Sequence, residues 1–220
     1  MTINATVPLT DEGNATEELP SACMQEVAID EDQLVRASTY SLIAALMRNA
    51  PDDSMLQRIS GLVQPDEKTG DDLLMAMSTL GLSAKMLTPA AIEDEFHDLF
   101  IGLGKGEVVP YGSWYLTGFL MEKPLSDLRD DLARLGYQRS DDTSEPEDHV
   151  AALCEVMSMM IAESVDVDRQ QHFYTTHMEN WLARFFADLT QAKSAVFYKS
   201  LGRFGAAFCA LESEYFDMSI

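Results

Sequence analysis

The sequence predicts an all-α protein, because apolar residues recur at helical spacing along most of the chain and no stretch alternates like a strand. After Asp32, the residues Val35, Leu42 and Leu46 share one helical face, and the same spacing recurs in seven later segments. At 220 residues the chain is long enough to bury a substantial core, as one large helical domain or two small ones.

Local signals mark where several of these helices begin and end. Thr88 is suited to an N-cap and Pro89 to the first helical position of a segment that the glycines of residues 102–106 would end. Pro124 opens another helix, and Gly136 closes it.

Residues 137–145 are polar and lack apolar periodicity, so the sequence predicts a helical bundle in two parts joined by a hinge. We therefore divide the chain into an acidic flexible tail (1–29), an N-terminal helical part (30–136), a hinge (137–149) and a C-terminal helical part (150–220). Ser144 and Glu147 have the spacing of a capping box, which predicts that the acidic residues of 145–148 lie in the first turn of a helix.

The charge of the chain limits the classes of partner. With 37 acidic and 15 basic residues the net charge is −22, which argues against nucleic acid and suits a partner that carries positive charge. An acidic surface also simply keeps a protein in solution. The acidic N-terminus, three scattered cysteines and no apolar run long enough for a membrane span lead us to expect a cytoplasmic protein without membrane insertion.

Catalytic motifs are incomplete throughout. The glycines of 102–106 lack the Gly-Lys-Ser/Thr of a phosphate loop, and Asp94 with His97 is a single Asp-x-x-His pair where a di-metal bundle needs two. His177 lies on an aromatic stripe with Phe173, Trp181 and Phe185, where a satisfied core or interface histidine is expected. We expect no catalytic residue, no metal and no cofactor.

Two segments remain that neither packing nor solubility explains well. One crowds three aromatic residues behind a proline, and the other concentrates acids at the start of a helix. The aromatic residues would fold back onto the core if they were only structural, and the acids would only cap a helix. Together they predict an aromatic wall and an anionic rim, as a groove for a basic, partly apolar peptide requires. The candidate peptide-binding residues are Pro110, Tyr111, Ser113, Trp114, Tyr115, Glu145, Pro146, Asp148 and His149.

These two segments resemble the signature motifs of the TorD/DmsD family, the redox-enzyme maturation chaperones of bacterial molybdoenzymes. The family has a helix that ends in Leu-Phe-x-Gly and is followed by a Pro-Tyr-x-Ser-x-Tyr element, a Glu-Pro-x-Asp-His hinge motif and a C-terminal Phe-x-x-x-His-x-x-x-Trp pattern. This chain is similar at Leu99–Gly102, Pro110–Tyr115, Glu145–His149 and Phe173–Trp181, and it departs at Gly112, where family members often carry a larger, frequently acidic residue.

The resemblance implies a cytoplasmic, non-catalytic chaperone that binds the twin-arginine signal peptide and the apo-form of a molybdoenzyme. Such a chaperone assists molybdenum-cofactor insertion before export, and some members form domain-swapped dimers, so monomer and swapped homodimer both stay open. Trimethylamine-oxide reductase, dimethyl-sulfoxide reductase and formate dehydrogenase are possible clients. Asp148 and Glu145 would pair with the arginines, His149 would orient the hinge or contact the peptide, and the three aromatic residues would receive the apolar stretch.

Two alternatives remain open at this point. The first is a helical metal-binding enzyme built on Asp94, His97, His149 and His177. The second is a structural adaptor that binds a folded partner and does not require a leader peptide.

Overall fold

The fold is described from a computed structural model, which defines the backbone at residues 3–5 and the complete residues at 30–62, 72–102, 106–140 and 145–218. Nearly all regular structure in these ranges is helical, as predicted. In chain order the elements are β1 (Ile3–Ala5), α1 (Glu31–Arg48), α2 (Asp53–Ser60), α3 (Asp72–Met86), α4 (Pro89–Phe96), a π-helical turn (His97–Ile101), α5 (Gly112–Thr117), α6 (Lys123–Leu135), β2 (Tyr137–Arg139), α7 (Val150–Ala162), α8 (Val167–His177), α9 (Glu179–Gln191) and α10 (Phe197–Met218).

Several helix ends lie where the local signals predict them. The Thr88 side chain accepts a hydrogen bond from the Ala91 N–H and caps α4. Gly102 ends the π-helical turn that continues α4, and Gly136 ends α6 in the left-handed conformation, with φ of 81°. Local chemistry therefore sets these boundaries.

Helices from the two ends of the chain share one hydrophobic core. The most extensive packing joins α1 to α7, and α10 packs against both α9 and α3. Phe173, Trp181 and Phe185 are fully buried in this core, as predicted. The hinge, the boundaries of the two parts and the domain-swapped dimer stay predictions.

Two buried carboxylates fasten α10 to the helices around it. Glu212 accepts hydrogen bonds at both oxygens from the Arg36 guanidinium, each 2.7 Å long, and a third from the Tyr40 hydroxyl at 2.8 Å. We call these three residues the α1–α10 seam. Glu95 of α4 accepts from three backbone N–H groups at the start of α10, those of residues 196–198, at 2.7–3.0 Å. Since a helix N-terminus presents unpaired N–H groups, a carboxylate there satisfies them and the helix dipole together.

Three details differ from the helical expectation. Ile3–Ala5, assigned to the flexible tail, pair antiparallel with Tyr137–Arg139, so two short strands interrupt an otherwise helical fold. Three residues are too few for alternation to be visible in a sequence. The stripe from Phe173 to Phe185 is divided between α8 and α9, because the chain leaves helical geometry at Met178.

The third difference concerns the start of α7. The helix begins at Val150 with His149 as its N-cap, so the prediction of a helical first turn at residues 145–148 is wrong. Ser144 and most of the acidic tail lie outside the described residues.

Candidate functional site

The two segments singled out in the sequence lie side by side. The Gly112 N–H donates to the Asp148 carbonyl and the Val150 N–H donates to the Pro110 carbonyl, each at 2.9 Å. Tyr111 and His149 therefore form an isolated antiparallel bridge. Since these bonds occupy the backbone of residues 148–150 in an extended pairing, α7 cannot begin earlier.

The paired segments form a junction between α5 and α7, and Asp148 is its central carboxylate. It is 3% exposed, and its Oδ2 accepts a 2.8 Å hydrogen bond from the Ser113 N–H in the first turn of α5. Its Oδ1 and the Ser113 hydroxyl oxygen are both buried and have no hydrogen-bond partner among the described residues. Burying an unpaired polar group costs free energy, so two such groups in adjacent side chains are unusual.

A cavity of about 210 Å³ opens beside these two groups, and we call it the Asp148 cavity. Asp148, Ser113, Leu116, Asp127 and His177 contribute to its lining. The volume lies below that of typical cofactor pockets, about 300–1,000 Å³, and suits a single side chain.

The other titratable groups of the Asp148 cavity have partners. Asp127 forms an exposed ion pair with Lys123 at 2.6 Å, and His177 Nε2 lies 2.8 Å from Asp131 Oδ2. The expectation that His177 is a satisfied histidine is thereby confirmed. Burial lowers the pKa of His177, and the neighbouring Asp131 carboxylate opposes that shift. Among the described residues, Asp148 Oδ1 is left without a partner, and this carboxylate oxygen would accept a hydrogen bond from a cationic donor.

His149 supports the junction from within. It is 5% exposed, its Nδ1 accepts the Ala151 N–H at 3.1 Å, and its ring meets the Tyr111 ring edge-on at 5.0 Å. Burial lowers the pKa of His149 to about 3, so the ring is neutral and its second nitrogen carries the hydrogen.

The remaining residues of the acidic segment differ in exposure. Glu145 is exposed, Pro146 is half-buried, and Glu147 is buried and paired with Arg129 at 2.8 Å. The pKa of Tyr111 is raised to about 12, chiefly by burial and also by the negative charges of Glu145 and Asp148.

The aromatic residues of α5 face different surroundings. Tyr115 stacks on Trp181 with ring centroids 5.6 Å apart, and its hydroxyl donates to Asp188 at 2.9 Å. Trp114 and Tyr115 are both half-buried and border a second cavity of about 310 Å³, which Asp188 also lines. A Cβ on Gly112 would lie 3.1 Å from the Trp181 indole nitrogen, which explains the small residue at this position.

The sequence reasoning missed an apolar segment that begins in the last turn of α5 and continues beyond the helix. Leu116, Phe119, Leu120 and Met121 are 42%, 68%, 46% and 72% exposed. We call residues 116–121 the apolar turn. The available signal was four large apolar residues within six positions, around a glycine and just before Pro124, outside any helical period.

The described residues offer neither a cluster of metal ligands nor a membrane-spanning helix. Within them, no group of three His, Cys, Asp or Glu side chains is arranged to hold a metal ion. None of the described helices has the length and apolar character that crossing a membrane requires.

Comparison with known proteins shows which family the chain resembles. Residues 66–187 match the family model described as nitrate reductase delta subunit. "Chaperone protein TorD" of Vibrio parahaemolyticus is 29% identical over 133 residues, which cover 55% of this chain and 62% of that protein. The protein of the same name from Shewanella loihica is 26% identical over 218 residues, 87% of this chain and 98% of the relative.

The fold has a counterpart among solved structures. A putative redox enzyme maturation protein from Archaeoglobus fulgidus superposes with a TM-score of 0.53 at 16% identity, over 86% of this chain and 99% of that one. At such low identity the likeness concerns the fold alone. Because the family model covers more than half of the chain, and the curated relatives carry the TorD name, this chain belongs to the nitrate reductase delta subunit family and, within it, to the TorD group.

Proposed function

We propose that this protein is a cytoplasmic chaperone that binds the twin-arginine signal peptide of an apo-molybdoenzyme and holds the enzyme for cofactor insertion before export. The name of its curated relatives, chaperone protein TorD, supports a role as a chaperone. The protein performs no reaction itself in this proposal. Its work is to bind a precursor and release it.

The observation that carries the proposal is the unpaired polar pair in the Asp148 cavity. A buried carboxylate oxygen and a buried hydroxyl without partners are costly in the free chain. A guanidinium supplies several N–H donors in a planar fork, so one arginine side chain would satisfy both groups at once. The net charge of −22 would attract such a peptide over longer distances.

The other candidate residues take roles that fit their surroundings. Glu145, which is exposed beside Tyr111, is available for the second arginine of the leader. Trp114 and Tyr115 present half-buried rings to the apolar residues of the peptide, with Tyr115 also stacked on Trp181, and the half-buried Pro146 shapes the junction. Pro110, Tyr111, Ser113 and His149 hold Asp148 in place through the backbone pairing and the α5 cap.

Titration calorimetry with a synthetic twin-arginine leader tests the role of Asp148. Asp148→Asn keeps an oxygen that can accept the Ser113 N–H but removes the charge that a guanidinium needs. We expect the affinity to fall by about 1.5–3 kcal/mol, the usual worth of a hydrogen bond to a charged group. Asp53→Asn, on the exposed first turn of α2, is the matched control and should bind like the wild type.

Unchanged affinity in Asp148→Asn would mean that the Asp148 carboxylate does not bind an arginine of the leader, which contradicts the proposal. A structural adaptor makes a different prediction in a second measurement, since it would bind the folded enzyme equally well after the leader is deleted. A pull-down with leaders of several molybdoenzymes identifies the client.

A further inference from the structure

We propose that the apolar turn is the second half of the peptide site and receives apolar residues that neighbour the cationic side chain bound in the Asp148 cavity. This inference rests on the proposed function and adds where the apolar part of the peptide lies. It assigns the contact to Leu116, Phe119, Leu120 and Met121, none of which belongs to the sequence motifs discussed above.

The exposure of the apolar turn is concentrated. Four large apolar side chains, each at least 42% exposed, fall within six consecutive residues. Other exposed apolar residues of the described chain, such as Met75 and Met86 on α3, are spaced along a helix. Single exposed apolar residues are ordinary, whereas a contiguous apolar patch rimmed by polar groups marks an interaction surface.

The turn has a defined backbone. Gly118 adopts φ of 83° and its N–H donates to the Trp114 carbonyl at 2.8 Å, which ends α5. The Thr117 hydroxyl donates to the Ser113 carbonyl at 2.8 Å and also bonds the backbone of Phe119. These bonds hold the backbone of residues 117–119, so a ligand would not have to order the whole turn.

The apolar turn adjoins the Asp148 cavity at both of its ends. Leu116 belongs to the turn and also lines the cavity, beside Ser113 and Asp148. At the other end of the turn, Pro124 and Asp127 of α6 line the same cavity. A cation in the cavity therefore lies within one or two residues' reach of the exposed apolar side chains.

Charge selects the occupant of this surface. The described lining of the Asp148 cavity includes the carboxylates of Asp127 and Asp148 and neither lysine nor arginine, so a purely apolar or an acidic partner gains nothing from the cavity. A second copy of this chain would bring another net charge of −22 to the same surface. The complementary occupant is a short peptide segment with arginine directly followed by apolar residues.

Two fluorescent peptides separate the two halves of the site in an anisotropy titration. Both contain two arginines; in one they precede six leucine and alanine residues, and in the other six serine and glycine residues. The wild type should bind the apolar peptide at least about tenfold more tightly. Phe119→Ser/Met121→Ser should lose this preference and keep the affinity for the polar peptide, because the Asp148 cavity is unaltered.

The matched control is Met75→Ser/Met86→Ser, which removes two equally exposed apolar side chains from α3 and should retain the preference. Circular dichroism and the single variant Phe119→Ser guard against a loss of fold. A preference that survives in Phe119→Ser/Met121→Ser, or that falls equally in the control, overturns the inference while the proposed function stands. If the wild type binds neither peptide, both the inference and the proposed function fail. If Phe119→Ser/Met121→Ser changes a wild-type dimer into a monomer, a second copy of the chain covers the turn and the inference is wrong.

Discussion

The α1–α10 seam and the junction between α5 and α7 each bury a carboxylate, but they use it differently. Glu212 in the seam is 0% exposed, and both oxygens are bonded to Arg36, with Tyr40 as a further donor. Asp148 in the junction is 3% exposed, and only one of its oxygens has a partner among the residues that the structure describes. Both carboxylate oxygens of the seam are therefore hydrogen-bonded within the fold, whereas the junction has one carboxylate oxygen that a ligand can use.

The largest expected effect comes from breaking the seam. Arg36→Met leaves the Glu212 carboxylate buried without its cation, which should lower the free energy of unfolding by about 3–5 kcal/mol. Urea denaturation measures this change. Peptide affinity at a temperature where the variant is folded should match the wild type, because the seam does not line the Asp148 cavity.

A double replacement checks the reason for that loss. In Arg36→Met/Glu212→Leu no charge is left unpaired, so most of the stability should return. A double variant as unstable as the single one would mean that the seam contributes shape rather than charge pairing.

The next effect is a pH dependence that originates in the junction. Burial lowers the pKa of His149 to about 3 in the folded protein, so between pH 6.5 and 3 the unfolded chain binds a proton that the folded chain does not. The contribution of His149 to the free energy of unfolding is therefore complete above pH 6.5 and is lost as the pH falls. The loss should be about 2 kcal/mol between pH 7 and pH 5. His149→Asn, which can still cap α7, should remove this share when urea denaturation is repeated at both pH values.

The His149→Asn variant keeps the contribution that His177 makes to the pH dependence of stability. The pKa of His177 is also lowered, so part of the same pH dependence persists. An unchanged difference between pH 7 and pH 5 in His149→Asn would show that His149 is not held neutral by the junction.

The smallest effect should have opposite signs for stability and binding. Ser113→Ala removes a buried hydroxyl that has no partner, so the free energy of unfolding should rise by about 1 kcal/mol. If a bound arginine uses that hydroxyl, affinity for a twin-arginine leader should fall by about 1 kcal/mol. Thermal melting and calorimetry on the same sample measure both, and a variant that loses stability would mean that the hydroxyl already has a role in the fold.

Local signals allowed most of the helical fold to be predicted. Thr88, Pro124 and Gly136 act within one helical turn of their own positions, so the ends they predict are found in the structure. The start of α7 was mispredicted because the backbone of residues 148–150 is bonded to a segment about 38 residues earlier in the chain. No local pattern carries that information.

The candidate site shows the same division. Unusual composition pointed to Pro110–Tyr115 and Glu145–His149, and the structure brings these segments together. The sequence could not show that the Tyr115 ring stacks on Trp181 or that Trp114 and Tyr115 border the same cavity. It also missed the apolar turn, since exposure is a property of the packed molecule rather than of the residue type.

By itself the sequence determined the helical class, the acidic surface and the two segments whose residues fit a peptide site, because periodicity, net charge and composition are properties of the chain. Tertiary structure alone decided which carboxylate keeps a free oxygen. Glu147 and Asp148 are neighbours of identical charge, yet one meets Arg129 and the other caps α5 with one oxygen and leaves the second unpaired. That outcome depends on the direction in which each side chain leaves the backbone of an extended segment, and long-range pairing with Pro110 and Gly112 sets that direction.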